Sequence, residues 1–145
     1  MALSKAFETF ERPGLVVSYK LANVKIYKGA NVGVNVSGFL VSMSHATTGL
    51  KYVGIANDSV DNSAGANGDK SMNVTKTGSF VLKAAAGFTP TQADIGKEVY
   101  AVTDWEVQVS LGGLTFAYKV GTIVGIERTS TGELGVRIRN DRHSV

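Results

Sequence analysis

Residues 52–82, YVGIANDSVDNSAGANGDKSMNVTKTGSFVL, decide the reading of the fold. A short apolar strand from Tyr52 to Ala56 ends in a loop of small, amide and acidic residues. The chain returns through an alternating strand, turns at Thr77-Gly78 and enters a second strand at Phe80. Alternation bounded by Gly, Asn, Asp and Ser predicts strands joined by tight turns. Nothing in the stretch has the look of a catalytic constellation.

The same period of two extends outward on both sides. Val24 and Ile26 alternate with Lys25 and Tyr27, Lys28-Gly29-Ala30-Asn31 is a turn, and Val32, Val34 and Val36 alternate with Gly33 and Asn35. The apolar run at residues 39–43 is consistent with a strand buried on both faces. Further on, Trp105, Val107, Val109 and Leu111 share a face, with Trp105 read as a core anchor, and Leu111-Gly112-Gly113-Leu114 marks a hairpin. Tyr118, Val120, Thr122, Val124 and Ile126 share a face on the next strand. Gly121 and Gly125 fall in mid-strand, where they predict a bulge or sharp curvature, and curvature favours closure into a barrel. Leu134, Val136 and Ile138 face inward on the last strand, with Arg137 and Arg139 outward. One segment breaks the pattern: residues 89–96 read as a helical turn with Thr89 as N-cap, Pro90 at the first helical position and Gly96 as the stop.

These elements give an all-β chain of about eight to ten strands, a compact β-barrel or β-sandwich-like domain with one short helical turn. Residues 1–20 are read as an extended N-terminal arm carrying Phe7, Phe10, Val16, Val17 and Tyr19 around Pro13-Gly14, and residues 21–145 as a single β-rich domain. The alternative for residues 15–19 is an ordinary first strand packed on its own domain. Exposed aromatics on an arm favour docking on a partner or neighbouring subunit.

Composition narrows the function. A chain of 145 residues suffices for one core. Seventeen glycines against two prolines suit many short strands and tight turns. The absence of cysteine excludes disulfides, thiol catalysis and Cys-based zinc sites. No run approaches the roughly 18 apolar residues of a membrane span, and the first twelve residues lack the apolar centre of a signal peptide. A net charge of +3 does not specify nucleic acid.

Chemistry-bearing patterns are sparse. Of the two histidines, His143 sits near the C-terminus and His45 precedes a turn, where a structural role is expected. The loop with Asp58, Asp61, Asn62, Asn67 and Asp69 offers oxygens, but its spacing departs from the EF-hand and the closing glutamate is missing. A solvated loop is expected, with no metal. The segments at residues 29–33 and 65–68 lack the G-K-[ST] ending of a phosphate loop. We expect neither an enzyme nor a cofactor. The basic cluster at Arg137, Arg139 and Arg142 is interrupted by Asp141 and has no interleaved aromatics, so a strand end or a subunit interface is expected rather than a nucleic-acid platform.

Taken in order, several motifs resemble the small all-β capsid cement, or head decoration, proteins of tailed bacteriophages. The first set is Gly54-Ile55-Ala56, Val60-Asp61-Asn62, Gly68-Asp69 and Gly78-Ser79-Phe80. The second is Ala93-Asp94-Ile95-Gly96-Lys97, followed by Val99-Tyr100-Ala101-Val102 and Asp104. The third is the Val120–Gly125 run and the final strand from Val136 to Arg139. The match covers roughly residues 22–140. The resemblance implies a virion structural protein, assembled in the host cytoplasm. It would bind the outer surface of the expanded icosahedral head, often as a homotrimer, and stabilise it by bridging major capsid protein subunits. Phe7, Phe10, Arg12, Pro13, Tyr19, Arg137 and Arg139 are the expected capsid or subunit contacts. No contact with nucleic acid or membrane is expected. The alternative is a small β-barrel binding module on a virion tail or fibre that recognises a carbohydrate or cell-surface ligand. The tyrosines at 19, 27, 52, 100 and 118 would serve such a module, but their spacing shows no platform.

Overall fold

The computed structural model describes residue 6 and residues 15–140 and 143–145. Among these residues there are twelve strands: β1 Val16–Lys20, β2 Lys25–Ile26, β3 Asn31–Val34, β4 Leu40–Ser42, β5 Lys51–Ala56, β6 Val60–Asp61, β7 Ser71–Thr75, β8 Ser79–Ala84, β9 Glu98–Ala101, β10 Glu106–Gln108, β11 Lys119–Ile126 and β12 Gly135–Arg139. The chain is all-β. The count exceeds the expected one because Val16–Lys20 join the domain as a strand and because β6, with two residues, is too short to display a period.

The strands form two main units and a small ribbon. The first is an antiparallel sheet in the order β1-β7-β5-β3-β4; the second is a closed barrel in the order β10-β8-β12-β11-β9; β2 and β6 pair as the ribbon. Every pairing is antiparallel except β8 with β10. A bridge from Leu21 to Leu40, with the Ala22 N–H donating to the Leu40 carbonyl at 3.0 Å, brings the end of β1 back toward β4.

Each unit has its own apolar centre, and β5 serves both. Leu82, Val99, Ala101, Val107, Val120, Ile123, Val136 and Ile138 fill the barrel, joined by Met43, Leu50 and Tyr52 from the first sheet's side. Leu21, Ile26, Val32, Leu40, Val53, Met72 and Val74 form the other cluster. Alternation on β5 sends Tyr52 to one cluster and Val53 to the other, so the strand is buried on both faces. Gly54 follows Val53 at φ +144, with the Thr75 carbonyl oxygen 2.3 Å from where a Cβ would stand. Only glycine accommodates both that backbone and that approach.

Three local expectations are corrected. On β11 the ladder shifts register between Lys119 and Gly121 and again between Ile123 and Gly125, where mid-strand glycine predicted bulges. Each extra residue reverses the inward face, so Ile123 is buried while Val124 is 39% exposed, against the simple alternation. The helical turn is a 3-10 turn, Gln92–Asp94, that starts two residues later than expected. The Asp94 carboxylate accepts from the Thr91 N–H at 2.8 Å, so Thr91-x-x-Asp94 outcompetes Thr89-Pro90 as the cap. Finally, Val16–Lys20, the last five residues of the expected arm, pair with β7 from Val16↔Thr75 to Lys20↔Ser71. Their alternation turns Tyr19 onto the first sheet's cluster, and that burial makes them a strand of the domain.

Candidate functional site

The β9–β10 hairpin builds the most developed surface feature. Val107↔Ala101 and Gln108↔Tyr100 set its register, and the tip is closed by its own side chains. The Val102 N–H donates to the Glu106 carbonyl at 2.8 Å, the Glu106 N–H to Thr103 Oγ1 at 3.2 Å, and the Thr103 hydroxyl to Glu106 Oε1 at 3.1 Å. The tip is also gripped from both units. The Asn31 N–H, on β3, donates to the Asp104 carbonyl at 2.6 Å, and the Lys83 N–H, on β8, donates to the Trp105 carbonyl at 3.0 Å. Asp104 and Trp105 are thereby fixed in the seam between the sheet and the barrel.

Trp105 is therefore not the core anchor its place in the alternating run suggests. It precedes β10, at the turn, and is 41% exposed. Leu111, at the far end of the same run, is exposed as well, because β10 ends at Gln108.

A cleft of about 470 Å³ opens beside the tip. The β2–β3 connection lines it with Tyr27 and Lys28, β8 with Lys83, the hairpin tip with Asp104 and Trp105, and the β11–β12 turn with Ser130. Tyr27 is 59% exposed. Both aromatic rings already carry an ammonium: Lys83 Nζ stands 4.7 Å from the Trp105 ring centroid and Lys25 Nζ 4.9 Å from that of Tyr27. Lys83 also reaches Glu106 Oε2 at 3.7 Å. Asp104 is half-buried. Burial, with Glu106 nearby, pushes its carboxyl above the usual range, against opposing hydrogen bonds from its own backbone and Ser42.

The expected contact residues distribute as follows. Phe7, Phe10, Arg12 and Pro13 lie outside the described residues. Tyr19 packs against its own domain, with Lys76 Nζ 2.7 Å from its hydroxyl and 5.0 Å from its ring centroid. Arg137 and Arg139 point outward together from β12, opposite Val81 and Ser79 of β8. With Gly78, Ser79 and Val124 they line a shallow depression of about 440 Å³.

The acidic loop is tied to itself and to its neighbours. Asp61 Oδ1 accepts from the Ser63 N–H at 2.9 Å, and Asp69 Oδ2 from the Ala66 N–H at 2.8 Å. Buried Asn62 donates to the carbonyls of Ala22 and Ala66 at 3.0 and 2.9 Å. The Ser63 bonds hold the exposed Asp61 carboxyl below the usual range. His45 works as a loop tie, its Nδ1 accepting from the Thr115 N–H at 3.2 Å and its carbonyl from the Phe116 N–H at 3.0 Å.

No family model, curated protein or solved structure matches this chain. The structure brings Tyr27 and Trp105 to one cleft across a large sequence separation. Their lateral proximity arises from the Asn31–Asp104 backbone bond between β3 and a hairpin tip, for which the sequence carries no pattern.

Proposed function

We propose that this chain is a capsid decoration protein that attaches to the outer surface of an expanded bacteriophage head and bridges major capsid protein subunits. The observation that carries the reading is the outer edge of β1. Among the described residues β1 pairs only with β7, and Val16, its first residue, and Leu15, just before it, are 46% and 64% exposed. An edge strand with exposed apolar side chains is a template for a partner. It is also where the segment bearing Phe7 and Phe10 joins the domain.

The rest of the molecule suits such a role. Two apolar clusters sharing β5 and a self-tied loop make a stiff body, as cementing demands. Arg137, exposed on β12, offers a second contact, suited to bidentate recognition of a carboxylate on a neighbouring subunit. In a homotrimer, one modest patch used three times gains avidity without any strong single contact.

The test is removal of residues 1–14. The cut stops before β1, because loss of Val16–Lys20 would strip β7 of its partner strand. The truncated protein should keep the β circular-dichroism signal and no longer co-sediment with expanded heads. Undiminished co-sedimentation would sink attachment through this segment.

The second reading, a β-barrel module recognising a carbohydrate on behalf of a virion tail or fibre, is favoured by the Tyr27–Trp105 cleft.

A further inference from the structure

We propose that the seam cleft between Tyr27 and Trp105 is a binding site for a neutral saccharide. The inference rests on the cleft alone and stands independently of attachment through residues 1–14. Sugar recognition needs an aromatic surface for the C–H face of a pyranose and fixed polar groups for its hydroxyls. The cleft supplies both: two exposed rings, the half-buried Asp104 carboxyl, and the Ser130 hydroxyl. A carboxyl next to aromatic rings is suited to accept hydrogen bonds from a pair of adjacent hydroxyls.

Charge selects among ligands. Lys28 and Lys83 both line the cleft, Lys83 also standing over the Trp105 ring, so a cationic ligand meets two lysines. An anionic ligand must face Asp104 within the seam, and Lys83 already has Glu106 at 3.7 Å as its counter-ion. A neutral polyol avoids both penalties and uses donors and acceptors alike. The volume, about 470 Å³, accommodates a disaccharide-sized ligand. The site is also pre-organised. Backbone bonds from Asn31 at 2.6 Å and Lys83 at 3.0 Å hold the tip from both sides, so little ordering is left for binding to accomplish.

Trp105 is the single tryptophan of the chain, so its fluorescence reports on this cleft alone. The full chain would be applied to an array of neutral glucans, mannans, galactans and N-acetylhexosamine oligomers, and binders titrated by tryptophan fluorescence. We expect saturable binding to at least one neutral class. Trp105→Ala, read on the array, should weaken it roughly thirty-fold or more, as for an aromatic hot spot. Trp105→Phe should retain most of it, and Asp104→Asn should weaken it about ten-fold, the loss of one charge-assisted bond. All three variants should melt within a few degrees of the parent and still co-sediment with heads, which separates failure here from failure of the decoration reading. Binding to no neutral glycan overturns the proposal, as does binding that Trp105→Ala leaves intact. Quenching by N-acetyl-arginine amide without any response to sugars also overturns it, and identifies a seat for a peptide side chain instead.

Discussion

Replacing Tyr52 by phenylalanine removes one oxygen from the seam between the two apolar clusters. The Tyr52 hydroxyl accepts from Asn140 Nδ2 at 3.2 Å and donates to Asn31 Oδ1 at 3.4 Å, and all three residues are buried. Among the described residues the other ends of the two amides, Asn31 Nδ2 and Asn140 Oδ1, have no hydrogen-bond partner, so the hydroxyl is central to a sparsely bonded cluster. Its loss leaves two buried amide groups short of a partner, at a cost of roughly 2 kcal/mol near neutral pH. With a urea slope of about 2 kcal/mol per molar, the unfolding midpoint falls by roughly 1 M.

The effect carries a pH signature that a packing defect lacks. Burial raises the phenol from 10.0 to about 12, with the Asn140 hydrogen bond acting weakly in the opposite direction. Above pH 10 the unfolded chain releases this proton while the folded chain retains it. The stabilisation is thus complete below pH 10 and disappears as pH climbs toward 12. Between pH 9 and 11 this one group withdraws roughly 1.3 kcal/mol from the parent and nothing from Tyr52→Phe. Urea unfolding of both proteins at pH 8, 9, 10 and 11 measures the difference. The gap should shrink from roughly 2 to roughly 0.7 kcal/mol. A gap constant with pH, or no gap at pH 8, would refute a buried, protonated Tyr52 joining the two units.

Three further outcomes follow from particular contacts. Gly54→Ala forces a side chain to within 2.3 Å of the Thr75 carbonyl at φ +144, and thermal or urea unfolding should show a loss of roughly 2–4 kcal/mol. Lys76 is 7% exposed and donates to the Tyr19 hydroxyl and the Val145 carbonyl, while Ser144 Oγ donates to the Lys76 carbonyl at 2.6 Å. Deleting Ser144 and Val145 should therefore cost roughly 2–4 kcal/mol, and a deletion within 0.5 kcal/mol of the parent would show that this ammonium needs no such latch. Arg137→Ala with Arg139→Ala should leave the melting temperature within a few degrees and reduce head binding, with a weaker dependence on salt than the parent shows; unchanged binding would remove β12 from the interface.

Strand existence was legible because burial on one face writes a period of two, as at Met72 and Val74 or Val136 and Ile138. The mid-strand glycines announced bulges, yet which face followed each bulge depended on the registers of the pairings with β9 and β12, which no pattern within β11 encodes. Trp105 misled for a related reason. Its alternation with Val107 is real, but the hairpin turn ends one residue later, so the ring emerges at the tip. The arginines of β12 were assigned outward correctly because their neighbours Val136 and Ile138 are apolar. The cleft could not be read, since Tyr27, Asp104 and Ser130 come from three connections and Lys83 from β8, and their meeting is a property of the two-unit topology. Val16–Lys20 could be an arm or a strand by pattern, and pairing with β7 made it a strand.

The most direct measurement is co-sedimentation of the purified full chain with expanded heads, from its own source, that lack it. Saturable binding at a fixed ratio to the major capsid protein is the expected result, with heads so coated surviving heat or osmotic shock better than bare ones. A folded protein that remains in the supernatant at every concentration would contradict the decoration role.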